Sequence, residues 1–183
     1  SHLDLGIKPF QLTKRQVLID RLAYDSKVMK TMQALSEEQQ KPLEVLQSEV
    51  MVYAKEIVPS FNAYVYFRIG YWLARKIARL LYKVRFDRID NENLAQVDKD
   101  SKVVFVMNHR SNMDYIIVAF LVMERTTLSY AVGEWARIWP LQALIRAMGA
   151  FFVRRKSGNK LYRLVLERYI NMATREGVCQ AVF

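Results

Sequence analysis

Four short apolar runs in the second half of the chain alternate with helical stretches, and this alternation limits the fold more than any other feature. The runs are "KVVFVM", "LSYAVG", "AFFVRR" and "VCQAVF", and "VRFDRI", which starts at Val84, has the same character. Between them, "MDYIIVAFLVMER", "RIWPLQALIRAMG" and "NKLYRLVLERYINMATREG" have the apolar spacing of helices. The pattern predicts an α/β fold, with a layered, mostly parallel sheet and flanking helices. Gly149 and Gly177 stand where two of these helices are expected to end.

The first part of the chain has a helical period throughout. Apolar residues recur three and four positions apart in "QVLIDRLAYDSKVMKTM" and in "LEVLQSEVMVYAKEI", which predicts two helices joined at "LSEEQQKPLE". Pro42 in that join suits the first turn of the second helix. A chain of 183 residues is long enough for one ordinary domain and a small helical extension. We therefore predict an N-terminal helical hairpin over residues 1–59 and an α/β domain over residues 84–183.

Residues 60–83, between these two parts, predict an amphipathic helix. The longest uncharged run, Ile57–Phe67, has eleven residues, whereas a membrane-spanning helix needs about 20. At about 100° per residue, five cations fall within one arc, and Tyr71 and Trp72 are expected among the aromatic residues of the opposite face. The five cations are Arg68, Arg75, Lys76, Arg79 and Lys83.

A basic stripe beside an aromatic face suits a helix that lies in a membrane interface. This predicts peripheral or monotopic association with an anionic phospholipid membrane, on its cytoplasmic face. The alternative is a helix that packs its aromatic side on the rest of the protein and solvates its cations.

The formal net charge of +10 implies an anionic partner, but charge alone leaves nucleic acid, lipid headgroups and phosphorylated metabolites open. Nucleic acid is not expected, because the aromatic residues of the amphipathic helix are predicted opposite its cations and not between them, as a stacking surface needs. The single cysteine, Cys179, excludes an internal disulfide and suits a reducing compartment. Its neighbours in "GVCQAVF" favour a small buried residue over a nucleophile.

The stretch "MNHRSNMD", Met107–Asp114, follows the apolar run "KVVFV" and carries the candidate chemistry. His109 comes just after a predicted strand, and the crevice of a parallel α/β sheet lies beyond the carboxyl ends of its strands. Asp114 can meet His109 only if His109 lies in the turn and Asp114 in the first turn of the next helix. Ser111 and Asn112 are residue types that start helices, so this geometry is expected.

An imidazole held by a carboxylate is a general base with a fixed tautomer. The chain has no GxSxG motif, so the nucleophile is expected to belong to the substrate, as a hydroxyl group that loses its proton while it attacks an acyl group. The HxxxxD spacing alone is a weak signal. The alternative is a histidine that only satisfies structural contacts.

A second polar cluster follows the predicted strand in "GAFFVRRKSGNKLY". Arg154 and Arg155 end the strand, Ser157 and Gly158 form a turn, and Lys160 opens a helix. Guanidinium groups beside a helix amino terminus suit phosphate oxygens. Because this cluster and the histidine both follow the carboxyl ends of strands, they are expected to share one crevice. A solvated basic face is the alternative.

These two motifs resemble those of the glycerolipid acyltransferases. "NHRSNMDY" is similar to the first motif of that family, and "GAFFVRR" followed by "GNKLY" is similar to the second. The forms "HRSxMD" and "RRxxGNKLY" resemble the glycerol-3-phosphate and dihydroxyacetone-phosphate acyltransferases most. The resemblance covers about Val103–Phe183, and for the helical N-terminal part it is only loose.

The resemblance implies transfer of a fatty acyl group to the 1-hydroxyl of glycerol-3-phosphate, the first step of phospholipid synthesis. His109 would be the general base, oriented by Asp114, and the donor would be a thioester of coenzyme A or acyl carrier protein. No metal or redox cofactor is implied. The residues expected to hold or position the phosphorylated substrate are Arg110, Ser111, Arg154, Arg155 and Lys160.

In the family, a Pro-Glu-Gly motif would come after the strand that "VCQAVF" resembles. The sequence is therefore expected to stop before the end of the α/β domain, at Phe183. Two alternatives stay open. One is an acyltransferase for a lysophospholipid, 1-acylglycerol-3-phosphate, and the other is a non-catalytic fragment that binds anionic membranes.

Overall fold

The structure, a computed structural model, describes residues 9–81, 104–106, 128–132, 141–154 and 157–182. Its helices are α1 (Pro9–Leu12), α2 (Arg15–Ala23), α3 (Ser26–Gln39), α4 (Leu43–Ile57), α5 (Tyr71–Leu81), α6 (Leu141–Ala147) and α7 (Lys160–Arg175). A π-helical segment, Val65–Gly70, leads directly into α5. The strands are β1 (Val104–Val106), β2 (Leu128–Val132), β3 (Ala150–Phe152) and β4 (Cys179–Val182).

The four described strands form one sheet in the order β1–β4–β2–β3, and each neighbouring pair is parallel. Parallel neighbours need a crossover connection, usually a helix, and α6 lies in this way between the neighbouring strands β2 and β3. This arrangement confirms the prediction of an α/β fold with a parallel sheet. The strand predicted at "VRFDRI" and the helix predicted at "MDYIIVAFLVMER" lie outside the described residues.

One apolar core joins the N-terminal helices to α7 and the sheet. Val28 of α3, Val50 of α4 and Val165 of α7 are fully buried in it, and β3 contributes the ring of Phe151. Burial of one such side chain stabilises the fold by about 1.5–3 kcal/mol. The helical N-terminal part of the chain therefore shares its core with the sheet.

A second, smaller apolar cluster surrounds Tyr66 in the π-helical segment. Tyr66 is buried, and the partly buried residues packed against it are Phe61, Phe67, Tyr71 and Met148. The side-chain oxygen of Asn62 accepts a hydrogen bond from the N–H of Val65 at 3.1 Å. The N–H of Asn62 donates to the carbonyl oxygen of Ala147 at 2.9 Å. These contacts tie the start of the amphipathic helix to the end of α6.

The N-terminal helices differ in number from the prediction. The helix predicted for "QVLIDRLAYDSKVMKTM" is interrupted at Asp25, which has an extended backbone. The carboxylate of Asp25 accepts hydrogen bonds from the N–H groups of Lys27 (3.0 Å) and Val28 (3.4 Å). Such an aspartate starts a new helix. The predicted two-helix hairpin is therefore wrong here: after α1, the segment folds as α2, α3 and α4. The apolar spacing continues across the break, which is why periodicity did not predict it.

The predicted helix ends at Gly149 and Gly177 are confirmed. Both have positive φ, 92° and 76°, a conformation that glycine adopts without a steric penalty. The N–H of Gly177 donates to the carbonyl oxygen of Thr174 at 3.0 Å, which closes the last turn of α7. Pro42 directly precedes α4, so the predicted join before that helix is confirmed as well.

Candidate active site

The carboxyl ends of the four described strands lie at one edge of the sheet. Val106 of β1 is level with Val182 of β4, and Ala131 of β2 is level with Phe151 of β3. The last β2–β4 pair is Tyr130 with Ala181, so Ala131 and Val182 are the next residues of these two strands. These four residues therefore form one row across the sheet. Since neighbouring strands are about 4.8 Å apart, β1 and β3 are separated by about 14 Å.

The strand that carries the second motif continues past this row. The N–H of Val153 donates to the carbonyl oxygen of Val132 at 3.0 Å, so the pairing extends beyond Phe152. Arg154 follows directly. The basic motif thus begins at the carboxyl end of β3, which confirms the prediction that it follows a strand.

The first motif starts from the same row. Val106, the last residue of β1, is level with Phe151, and in the sequence His109 and Arg154 each stand three residues beyond their member of that row. The residues of the predicted site that lie outside the described part of the chain are His109, Arg110, Ser111, Asp114 and Arg155.

Arg154 has a partner within the protein. Its Nε donates to Oε1 of Glu56 at 2.9 Å, and its Nη2 donates to Oε2 of the same carboxylate. Its guanidinium carbon lies 5.5 Å from the ring centroid of Tyr53 and 5.1 Å from that of Tyr162. The hydrogen bond to Glu56 raises the pKa of Arg154 above its ordinary value. The resemblance implied that this arginine holds the substrate phosphate, whereas its forked donors here bind the carboxylate of Glu56 in α4.

The predicted start of a helix at Lys160 is confirmed. The N–H of Ser157 donates to the carbonyl oxygen of Arg154 at 3.4 Å, and α7 begins at Lys160, which is exposed. The helix is capped by Asn159, whose Oδ1 accepts hydrogen bonds from the N–H groups of Leu161 (2.9 Å) and Tyr162 (3.0 Å). An asparagine at this position satisfies N–H groups that the helix leaves without partners.

Two other basic residues near the second motif have structural roles. Nη2 of Arg146 donates to the carbonyl oxygens of Lys55, Glu56 and Val58 at 2.8–3.0 Å. These groups end α4, where cations stabilise the helix dipole. Arg168 lies 2.9 Å from the carboxylate of Asp25. Neither arginine is therefore a candidate for substrate binding on the evidence of its described contacts.

The amphipathic helix places its cations at the surface. Arg68, Arg75, Lys76 and Arg79 are exposed, and Trp72 and Leu80 beside them are 57% and 83% exposed. Tyr71 is half-buried and packs against Tyr66. Lys83 lies outside the described residues. In the parts of the chain that the structure describes, no helix is long and apolar enough to cross a membrane.

The predicted separation of aromatic residues and cations is wrong at Trp72. Nζ of Lys76 lies 4.8 Å from the ring centroid of Trp72, because residues four apart share one face of a helix. Arg68 lies in the π-helical segment, where hydrogen bonds close one residue later than in an α-helix, so a uniform 100° spacing does not apply to it. The argument against nucleic acid from this separation therefore fails at Trp72.

A cavity of about 210 Å³ lies at the other edge of the sheet. Ser129, Gly149 and Val178, which line it, stand at the amino ends of β2, β3 and β4. Burial raises the pKa of the Tyr169 hydroxyl in its wall, against a smaller lowering by the hydrogen bond with Ser129. Cys179, the first residue of β4, belongs to this edge too. The cavity and Cys179 are therefore remote from the carboxyl ends of the strands, where the two motifs begin.

Sequence reasoning did not identify Tyr53, Glu56, Asn159 or Tyr162 as part of the site. Asn159 had a local signal, since asparagine before a helical stretch is a common cap. Glu56 had none, because it is 98 residues away from Arg154 in the chain.

The fold and the two motifs define the class of this protein: an α/β protein with a parallel sheet, in which a histidine–aspartate motif and a basic motif follow the outer two of the four described strands. The sequence model of the acyltransferase family matches residues 69–183. The chain therefore belongs to the acyltransferase family, as the resemblance of its motifs predicted.

Several relatives named glycerol-3-phosphate acyltransferase are similar to most of the chain. The protein from Aeromonas hydrophila is 32% identical over 177 residues, which are 91% of this chain and 21% of the relative. The protein from Shewanella denitrificans is 27% identical over 173 residues, again 91% and 21%. The protein from Xanthomonas campestris is 30% identical over 163 residues, or 87% and 18%. The chain spans about a fifth of the length of these curated relatives, and the similarity includes the N-terminal helices.

Proposed function

We propose that the protein transfers a fatty acyl group from a thioester to the 1-hydroxyl of glycerol-3-phosphate. The observation that carries the proposal is the common row of Val106 and Phe151, from which the two motifs start at one edge of the sheet. Membership of the acyltransferase family and the names of the similar proteins support the same reaction.

The reaction follows from the chemistry of the first motif. His109 takes the proton of the substrate 1-hydroxyl, while Asp114 fixes the tautomer of the imidazole. The hydroxyl oxygen forms a bond to the thioester carbonyl carbon, the carbon–sulfur bond breaks, and the proton returns to the departing thiolate. The donor is acyl-coenzyme A or acyl carrier protein. No electron is transferred, so the step needs no redox cofactor.

The second motif is proposed to bind the substrate phosphate. Arg155 supplies forked donors and Lys160 supplies a point charge at the start of α7, while Arg110 and Ser111 position the substrate from the first motif. The two motifs follow β1 and β3, and the span of about 14 Å between these strands is wide enough for glycerol-3-phosphate.

We also propose that the amphipathic helix holds this site at the cytoplasmic face of an anionic membrane, where an acylated product belongs. The exposure of Trp72 and Leu80 among exposed cations supports the proposal. A tryptophan with a lysine over its ring combines apolar area and positive charge, the two properties that an interfacial helix uses.

Replacement of Arg155 by Met tests the choice of acceptor. Loss of a charge-assisted hydrogen bond costs about 1.5–3 kcal/mol, so KM for glycerol-3-phosphate is expected to rise about 10- to 150-fold. The matched control is Arg175→Met, which removes an exposed arginine at the far end of α7 and should leave KM unchanged. An unchanged KM in Arg155→Met, or faster acylation of 1-acylglycerol-3-phosphate than of glycerol-3-phosphate by the natural protein, would contradict the proposal.

A further inference from the structure

Helix α4 contacts both ends of the segment that joins β3 to α7. At the β3 end, Glu56 receives the two hydrogen bonds of Arg154. At the α7 end, Nδ2 of Asn159 donates to the hydroxyl oxygen of Tyr53 at 3.0 Å. Tyr53 and Glu56 are three residues apart on α4, so they project from one face of that helix. One helix face thus touches the first and the last residue of the segment 154–159.

Tyr162 closes the same cluster from α7. Its ring packs edge-on against Tyr53, with centroids 5.4 Å apart and planes at 88°. Its hydroxyl accepts a hydrogen bond from the N–H of Arg154 at 3.1 Å and lies 3.3 Å from the carbonyl oxygen of Phe152, to which it donates. Tyr162 therefore connects the end of β3 to the first turn of α7, beneath the segment that α4 contacts.

The ion pair at the centre of the cluster is partly shielded from water. The side chain of Glu56 is 16% exposed and that of Arg154 is 37% exposed. A two-point contact between a guanidinium group and a carboxylate fixes orientation as well as distance. Because Glu56 matches the charge and the fork of Arg154, this arginine is better suited to hold the segment in place than to bind a phosphate.

We propose that Glu56 and Tyr53 are positioning residues for substrate binding. Through Arg154 and Asn159 they fix both ends of the segment whose sequence contains Arg155 and leads into Lys160, the proposed ligands of the glycerol-3-phosphate phosphate group. This inference rests on the proposed function. The N-terminal helices thereby acquire a role in the site that their sequence did not predict.

The first test is the effect of Glu56→Gln on substrate binding in the complete gene product. A displacement of the ligands by about 1 Å can cost up to about 100-fold, so KM for glycerol-3-phosphate is expected to rise about tenfold or more. The value of kcat and KM for the acyl donor should stay within about twofold, because the reacting groups are untouched. Glu44→Gln, an exposed glutamate at the start of α4, is the matched control and should change neither constant. If Glu56→Gln does not fold, Glu56→Asp replaces it in this test. Aspartate keeps the charge but has a shorter side chain, so KM for glycerol-3-phosphate should also rise.

The sign of the change separates two roles of Arg154. If Arg154 were itself the phosphate ligand, removal of its carboxylate partner would free it and KM would fall. The positioning role predicts a rise in Glu56→Gln and in Arg154→Gln, and a double variant no worse than the worse single one, since both changes break one contact. A lower or unchanged KM in Glu56→Gln, or effects that add in the double variant, would overturn the inference.

Amide hydrogen exchange tests the positioning role of Glu56 independently of any activity assay. In Glu56→Gln the amides of Ser157 to Tyr162 should exchange about tenfold faster, while amides in the last turns of α7 and throughout Glu44→Gln keep their rates. Unchanged exchange at 157–162 would overturn the inference even in an active enzyme. If the natural protein does not acylate glycerol-3-phosphate, the proposed function fails, whereas faster exchange at 157–162 would still support the hold of α4 on this segment.

Discussion

At the scale of single residues, the number of basic residues in the sequence is larger than the number of cations available to a substrate. Arg146 caps the end of α4, Arg154 pairs with Glu56, and Arg168 pairs with Asp25. Arg154 belongs to the stretch that predicted an anion site or a solvated basic face, and Arg146 and Arg168 lie on either side of that stretch. Their partners are at least 88 residues away, and no local pattern reports such pairings. Residue types and strand ends were predictable; which cation meets which carboxylate was not.

Asp25→Asn tests the contribution of one of these pairs. Burial raises the pKa of Asp25, but the hydrogen bonds from Arg168 and from the N–H groups of Lys27 and Val28 lower it more, so the pKa lies below its ordinary value. The stability that the carboxylate contributes is therefore present above the unfolded pKa of about 3.9 and is lost as the pH falls through the lower folded value. Asparagine can still cap α3, so the variant should lose about 1–2 kcal/mol of unfolding free energy at pH 7.

The check is urea unfolding at pH 7, 5 and 3. The difference between the natural protein and Asp25→Asn should persist at pH 5 and shrink at pH 3. Glu37→Gln, an exposed change on the same helix, is the control. A difference that is constant over this range would show that the ion pair is not its source.

At the scale of elements, sequence periodicity predicted most helices and strands but not their interruptions. All four described strands and the helices α6 and α7 lie within the stretches that the sequence predicted. The break at Asp25 was missed because a capping side chain, and not a change of apolar spacing, ends α2 there. The position of Trp72 was predicted wrongly because all the aromatic residues were assigned to one face, although Trp72 and Lys76 are four residues apart.

The role of the amphipathic helix is tested by vesicle flotation of the complete gene product. Glutamine replaces the five cations Arg68, Arg75, Lys76, Arg79 and Lys83. Each cation near an anionic surface contributes about 1 kcal/mol, so binding to vesicles that contain anionic phospholipid should fall about 100-fold or more. The matched control replaces five exposed lysines of the N-terminal part of the chain, namely Lys14, Lys27, Lys30, Lys41 and Lys55. Undiminished binding, or an equal loss in the control, would rule out this helix as the membrane contact.

At the scale of the whole molecule, the strand order explains how two motifs about 40 residues apart in sequence can serve one site. Parallel pairing places the carboxyl ends of all four described strands at one edge, with β1 and β3 as the outer pair. Alternating strands and helices were enough to predict this class of fold. They do not fix the order of the strands, because crossovers of similar length permit several orders. The shared core also brings the N-terminal helices to the second motif, since α4 packs against β3 and α7, the elements on either side of it.

The most direct test of the account is acyl transfer to glycerol-3-phosphate by the complete gene product, compared between the natural protein, His109→Ala and His2→Ala. With acyl-coenzyme A or acyl carrier protein as donor, the natural protein should form 1-acylglycerol-3-phosphate. Because a general base contributes about 10²- to 10⁴-fold, kcat should fall by that factor in His109→Ala and should be unchanged in His2→Ala, the other histidine of the sequence. Activity in His109→Ala within about tenfold of the natural protein, or no acylated product from the natural protein with either donor, would contradict the account.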